Sequence, residues 1–357
     1  MPIFPDISAQ AVMAGLKCPP EIRPPNAIAI ARAATISKGV PVKDTAPIKR
    51  LVPRNSTNAG VYISIDYTTE MKYLIVKGWC GFGDRMQSLK MAVDYAIKNN
   101  LQIYIDWSDT TWSHGDETFY TYFKLINMPV LNSVDDIPED ATVFPPFWKG
   151  KLHEPMTENI HSKLKEPSNT IHIGTLKGTY DADVIVSTTS NRTLYESSAF
   201  FANVFRVIDA RIINKVGNRL IKYNLKNCVG IHIRGTDRVR SQSNRERSIQ
   251  HMAVNAFHLG GQPMVSVSDD KNSSEIWKRF YPQTVSLTEL SMEESSKKGN
   301  HLTSKELLAV SKDLLNVDML TDFFSLSYCK QILTTYRDSR FAAEARCLHP
   351  HVDTILS

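Results

Sequence analysis

The sequence predicts an α/β protein made of two units in which parallel strands alternate with helices. Two observations predict it. Between residues 72 and 107 an apolar run, a glycine-rich turn, an amphipathic stretch and a second apolar run follow one another, and that order places neighbouring strands parallel. The same rhythm returns between residues 228 and 348. A chain of 357 residues has room for two cores with a cleft between them.

Taken in order, residues 1–70 stand apart. They hold nine prolines and eight Lys/Arg against five Asp/Glu, and only residues 26–36 read as a short helix. This basic segment is expected to be an extension of the folded part; a transit peptide is the weaker reading, set against by Asp6 and the prolines. The first unit, residues 71–220, opens with a strand at Tyr73–Val76. The turn Gly78-Trp79-Cys80-Gly81-Phe82-Gly83-Asp84 follows. Met86, Leu89, Val93, Ala96 and Ile97 then recur at helical spacing. Asn99-Asn100 ends that helix, and Leu101–Trp107 is the next strand. Residues 108–165, rich in aromatics and prolines, are expected to be irregular and to line a cleft. Val184–Ser187 reads as a strand and Arg192–Val207 as a helix.

The second unit, residues 221–357, has strands at Cys228–Ile233, Met264–Ser268, Thr284–Leu287 and Gln331–Thr334. Helices are expected over Asn244–Val254, around Ile276, Trp277 and Phe280, over Glu306–Tyr328, and over Ser339–Leu348.

Composition excludes several classes. Hydrophobic residues make up 42%, which fits a globular chain and not a disordered one. The formal net charge of +5 is too mild to argue for nucleic-acid binding, although it suits an anionic small ligand. Five cysteines without a CxxC pair suggest neither a disulfide framework nor a zinc site. Cys228 and Cys329 lie in or beside apolar runs and read as buried. No run of 18 apolar residues is present, and the start lacks a signal-peptide pattern. The expectation is a soluble protein of a reducing compartment, cytoplasmic or otherwise intracellular. On that reading the sequons at Asn55, Asn191 and Asn272 carry little weight.

Four strand ends carry chemistry. In Gly230-Ile231-His232-Ile233-Arg234-Gly235-Thr236-Asp237-Arg238, alternation puts His232 and Arg234 on one face. Ligands of open α/β sheets bind beyond the carboxyl ends of strands, so Arg234 is placed to grip a diphosphate. A plain surface turn with an Arg238–Asp237 pair is the bland alternative. Gly81-Phe82-Gly83-Asp84 sits between strand and helix, where backbone N–H groups favour anions; a tight structural turn explains it equally well. Ser268-Asp269-Asp270 offers paired carboxylates, either for a divalent metal or for capping the next helix and accepting hydrogen bonds. With Arg234 and Arg238 supplying positive charge, no metal is expected. In Thr335-Tyr336-Arg337-Asp338-Ser339-Arg340-Phe341, Ser339 either holds phosphate oxygens or caps the helix.

In this order these elements resemble the α1,6-fucosyltransferases, the family of rhizobial nodulation enzymes and of the animal enzyme that fucosylates N-glycan cores. The segment GFGDRMQSLKMAVDYAIKNNLQIYIDW carries much of the likeness, which spans about residues 72–350. The resemblance implies a GT-B-like fold of two Rossmann-like domains and transfer of L-fucose from GDP-fucose to a glycan hydroxyl. It also implies inversion at the anomeric carbon without a metal or other cofactor. The partners it implies are a nucleotide sugar and a glycan acceptor, with no nucleic acid and no membrane span. By matching motif positions, Arg234 would bind the β-phosphate, and His232 and Asp322 would contact the nucleoside. Asp269, Asp270 and Ser339 would surround the donor, with Thr236, Arg238 and Arg340 beside them. Gly81, Phe82, Gly83 and Asp84 would line the phosphate side. Two departures stand out. Gly235 replaces a second arginine of the animal enzymes, and Gln242 stands where they carry a glutamate that serves as base. Asp237 and Glu246 are the nearest carboxylates, and the base is expected among them. A nucleotide-sugar-binding protein without turnover is the alternative.

Overall fold

The computed structural model describes residues 51–53, 62–64, 72–163, 176, 180–188, 198–236, 241–290 and 310–357. The expected extension over residues 1–70, with its possible helix, therefore lies outside the described residues except for one antiparallel pair. That pair joins β1 (Leu51–Pro53) to β2 (Tyr62–Ser64). Residues 49–357 form one compact unit.

The first parallel sheet grows from β3 (Lys72–Lys77). The chain turns at Gly78–Gly81 into α1 (Phe82–Lys98), whose buried face carries Met86, Leu89, Val93 and Ala96 at the spacing read from the sequence. Asn100 then takes the left-handed conformation that asparagine tolerates, with φ of 52°, and β4 (Leu101–Asp106) begins. Next come α2 (Phe119–Tyr122), β5 (Phe123–Leu125), β6 (Val143–Phe144), α3 (Glu158–Lys163) and β7 (Val184–Thr188). The strand order is β4-β3-β7-β6, all parallel. Residues 108–163 are thus not uniformly irregular: short elements wrap aromatic cores, and Trp148 is fully buried.

The helix expected over residues 192–207 is corrected. Residues 191–197 lie outside the described set; α4 spans only Ser198–Phe201, and Phe205–Val207 is strand β8. It pairs antiparallel with β5. Phe201, Val204 and Phe205 satisfy a helical spacing, but cross-strand packing with Phe123 and Leu125 decides the outcome. A helix absent from the sequence reading follows: α5 (Ala210–Tyr223), capped by Asp209 and ended by Asn224 in the left-handed conformation. The expected unit boundary at residue 220 falls inside it.

The second sheet contains β9 (Val229–Ile233), α6 (Gln242–Asn255), β10 (Met264–Ser268), α7 (Lys271–Lys278) and β11 (Val285–Ser286). It continues with α8 (Lys312–Tyr328), β12 (Gln331–Thr334), α9 (Arg340–Leu348) and the terminal α10 (Val352–Ile355). Its order is β11-β10-β9-β12, again all parallel. The switch in direction at β9 opens a crevice beyond its carboxyl end. Phe280 lies past the end of α7 and is 45% exposed, not packed on its inner face. Cys228 and Cys329 are buried as expected.

One aromatic cluster lies beneath the junction of the two sheets. Phe82, at the first position of α1, meets Phe323 of α8 edge to face at 4.8 Å. Trp107 and Trp112 pack edge to face at 4.9 Å. Among the described residues no helix is long and apolar enough to cross a membrane.

Candidate active site

A cleft of about 310 Å³ opens where the carboxyl ends of β3, β9, β10 and β12 converge. It brings together residues far apart in the chain: Gly81, Phe82, Gly83 and Asp84; His232 and Arg234; Asp269; Asp322; and Ser339 and Arg340.

The β9 wall follows from strand alternation. His232 pairs in register with Val267 on one side and Thr334 on the other, which buries its ring. Its Nδ1 sits 3.0 Å from Thr334 Oγ1 and 3.3 Å from Ser339 Oγ. The imidazole stacks on Phe341 at 5.2 Å. Burial, reinforced by the Arg234 and Arg346 charges, pushes its pKa down to about 3. His232 is therefore neutral at physiological pH and offers a polar ring, not a charge.

Arg234 lies where the strand ends. Its Nη1 is 3.0 Å from Asp269 Oδ2. Asp269 also accepts from the Gly235 N–H at 2.7 Å and from Thr236 Oγ1 at 2.6 Å. One carboxylate at the end of β10 thus braces residues 234–236 after β9. Thr236 is buried in that brace and does not line the cleft. Asp270 is corrected as a donor-surrounding residue: it is buried and caps α7, accepting from the Ser273 N–H at 2.8 Å. Gly235 sits against it, and a Cβ there would come within 2.5 Å of Asp270 Cβ. That contact accounts for a glycine at this position. Asp237 and Arg238 lie outside the described residues. Glu246 is exposed on α6 and is not brought to the cleft.

The glycine turn of the first sheet does two things. Its residues line the cleft, and Gly83 lets α1 touch α9: a Cβ at Gly83 would lie 2.5 Å from the Phe341 nitrogen. Arg340 is held by that contact, its Nε 2.9 Å from Asp84 and its guanidinium bonded to Gln87. Beneath them Lys90 and Glu344 form a buried pair at 2.6 Å. The turn itself is held from inside. Arg85 is buried, donates to the Cys80 carbonyl at 3.0 Å, and pairs with Asp109 at 2.6 Å. Cys80 is kept at φ of 71°, a conformation that costs about 1–3 kcal/mol for a residue other than glycine. Ser339 caps α9 through the Ala342 N–H.

The sequence reading missed the residues of the remaining wall. Thr111 and Trp112 come from the loop after β4, and Thr288 from the loop after β11. Lys312, first residue of α8, is buried at the lining, and burial together with the Arg85 charge lowers its pKa to about 8. Asp318 and Asp322, one turn apart on α8, complete the wall. Only Asp322 was anticipated. Asp318 shared its four-residue spacing, a signal present in the sequence. Among the described residues no group of three or more His, Cys, Asp or Glu is placed to hold a metal ion.

No family model matches this chain, and no curated protein does. Solved structures match by fold. The NodZ α-1,6-fucosyltransferase soaked with GDP-fucose superposes with a TM-score of 0.56 at 16% identity, covering 78% of this chain and 93% of NodZ. NodZ from Bradyrhizobium gives 0.56 at 15%, covering 77% and 93%. NodZ co-crystallised with GDP gives 0.54 at 16%, covering 77% and 92%. The cleft at the strand ends therefore belongs to a GT-B-like α/β fold, the architecture of the NodZ fucosyltransferases.

Proposed function

We propose that this chain transfers L-fucose from GDP-fucose to a glycan hydroxyl, with inversion and without a metal ion. What supports the reading most is the convergence of His232, Arg234, Asp269, Asp322 and Ser339 on one cleft, in a fold shared with a fucosyltransferase soaked with GDP-fucose. The acceptor oxygen attacks the anomeric carbon while the bond from that carbon to the β-phosphate oxygen breaks. GDP leaves with the electron pair, and Arg234 stabilises the charge growing on it. Asp269 is already engaged by Arg234, Gly235 and Thr236, which supports charge neutralisation by arginine.

The acceptor proton needs a base. Of the carboxylates lining the cleft, Asp84, Asp269, Asp318 and Asp322 are each engaged by a cation. Asp338 is the cleft-lining carboxylate, among the described residues, without one. Among the described residues Asp338 is accordingly the candidate base, beside Asp237, which lies outside them. The test is GDP release from GDP-fucose, with and without EDTA and candidate glycans. Transfer that survives EDTA supports the metal-free part of the reading; transfer abolished by EDTA and restored by Mn²⁺ overturns that part. Asp338→Asn should lower kcat with GDP affinity kept. A binding protein without turnover is the second reading, favoured by Gln242 and by the placement of Glu246 outside the cleft. Donor binding with no GDP release from any acceptor would select it.

A further inference from the structure

Behind the α8 wall lies a cluster of charges that backs Asp322, one of the cleft residues of the proposed reaction. Asp318 and Asp322 face the cleft. Arg219 and Lys215 reach them from α5, on the side away from the cleft. Arg219 Nη1 is 2.8 Å from Asp322 Oδ1, and its Nη2 is 3.9 Å from Asp318 and bonded to the Leu287 carbonyl. Lys215 lies 3.2 Å from Asp318 and 2.8 Å from Glu289. The backbone N–H groups of Glu289 and Leu290 also donate to Asp318, at 3.2 and 2.9 Å. Thr288 Oγ1 donates to the second oxygen of Asp322.

We propose that Arg219 is a positioning residue, which from behind the wall holds the Asp322 carboxylate ionised and fixed as an acceptor for N–H or O–H groups of the nucleotide. The proposal rests on the GDP-sugar reading of the cleft. Two observations and one physical argument carry it. Arg219 is buried and does not line the cleft, so it reaches ligand only through Asp322. The two acids that line the wall, Asp318 and Asp322, take their cations, Lys215 and Arg219, from behind it, so each carboxylate depends on a charge that the ligand does not touch. Removing one partner of a buried pair leaves the other uncompensated, and a carboxylate in that position answers by taking up a proton.

The direction of titration supports the geometry. Burial, then the Asp318 charge, raises the Asp322 pKa to about 7, while Arg219 and Thr288 oppose the rise. An acceptor of raised pKa works above it and is lost as pH falls through it. The other groups facing this cleft behave differently. His232 is held near 3, and Glu289, which lies outside the cleft lining, is held low by Lys215 against the effect of burial. Lys312 has its pKa at about 8 and loses charge on the alkaline side, so its effect has the opposite sign.

The experiment measures GDP-fucose affinity by calorimetry between pH 5.5 and 7.5. GDP-fucose is the probe because its diphosphate is esterified at both ends and lacks the phosphate ionisation near pH 6. Wild type should lose affinity below neutrality, approaching about tenfold per pH unit. In Arg219→Met the fall should begin at higher pH, with at least tenfold weaker binding at pH 7; Arg219→Lys should restore part of it. Asp322→Asn should bind weakly with that acid limb absent. A purely structural Arg219 would lower the melting temperature and leave the pH profile unmoved, so an Arg219→Met profile superimposed on wild type overturns the proposal. If Arg219→Met does not fold, an Asp322→Asn profile identical to wild type overturns it. Failure of wild type to bind GDP-fucose at any pH overturns the functional reading itself, and this inference with it.

Discussion

The two parallel sheets each have four strands, in the different orders β4-β3-β7-β6 and β11-β10-β9-β12, and they use charge in opposite ways. At the strand ends of the first sheet, ionised groups are consumed inside the protein. Lys77 is buried against Asp106 at 2.5 Å and the carbonyls of Leu152 and Glu154, and Arg85 is buried against Asp109. At the strand ends of the second, Arg234 keeps 23% of its side chain exposed, braced by Asp269 but still facing the cleft. The first sheet spends its cations on shaping a turn. The second leaves its cation open to the cleft. Two four-stranded parallel sheets thus place a closed charge scaffold and an open cationic wall at one crevice.

Substitutions at four positions test that contrast. The largest effect is expected at Arg85. Arg85→Met leaves Asp109 as an uncompensated buried charge and should cost about 3–5 kcal/mol in urea unfolding. An effect under 1 kcal/mol would erase the scaffold side of the comparison. Next, Arg234→Ala should reduce turnover roughly 100–1,000-fold, about 2.7–4 kcal/mol in the barrier, with the melting temperature little changed. Arg234→Lys should rescue poorly, because a point charge lacks the guanidinium fork. Near-normal turnover in either variant removes Arg234 from the reactive wall. Gly83→Ala should cost about 1–3 kcal/mol, since its Cβ would collide with the backbone of α9. A neutral result would show that the α1–α9 contact is slack. Last, Glu246→Gln should leave transfer within about twofold, as surface changes usually do. Loss of transfer with GDP binding intact would instead bring Glu246 to the acceptor.

Much of this contrast was legible in the sequence, and unevenly so. His232 and Arg234 were readable because strand alternation is a local rule and β9 obeys it. Met264–Ser268 and Gln331–Thr334 were readable as strands because they are short apolar runs bounded by turns. α5 was missed for a physical reason. Its inner face carries Ile212 and Val216 but continues with the buried Arg219, so the apolar stripe breaks where the partner acids of α8 take over. Lys312, Thr111 and Trp112 were unreadable for a related reason. Their place at the cleft depends on α8 packing against the loop after β4, seen in the Asn316 amide bonded to the Trp112 carbonyl at 2.9 Å. Asp270 was readable only as one of two alternatives; the register of α7 decides that it is the cap.

The Lys90–Glu344 pair has a further consequence, for inheritance and for chimeras. Its two members lie 254 positions apart in sequence, yet neither can lose its charge alone without stranding the other in the interior. Burial already pushes the Glu344 carboxyl above its usual range. Related chains should therefore change both positions together or neither. A graft that exchanges residues 72–107 for those of a relative will fold only if α9 travels with them.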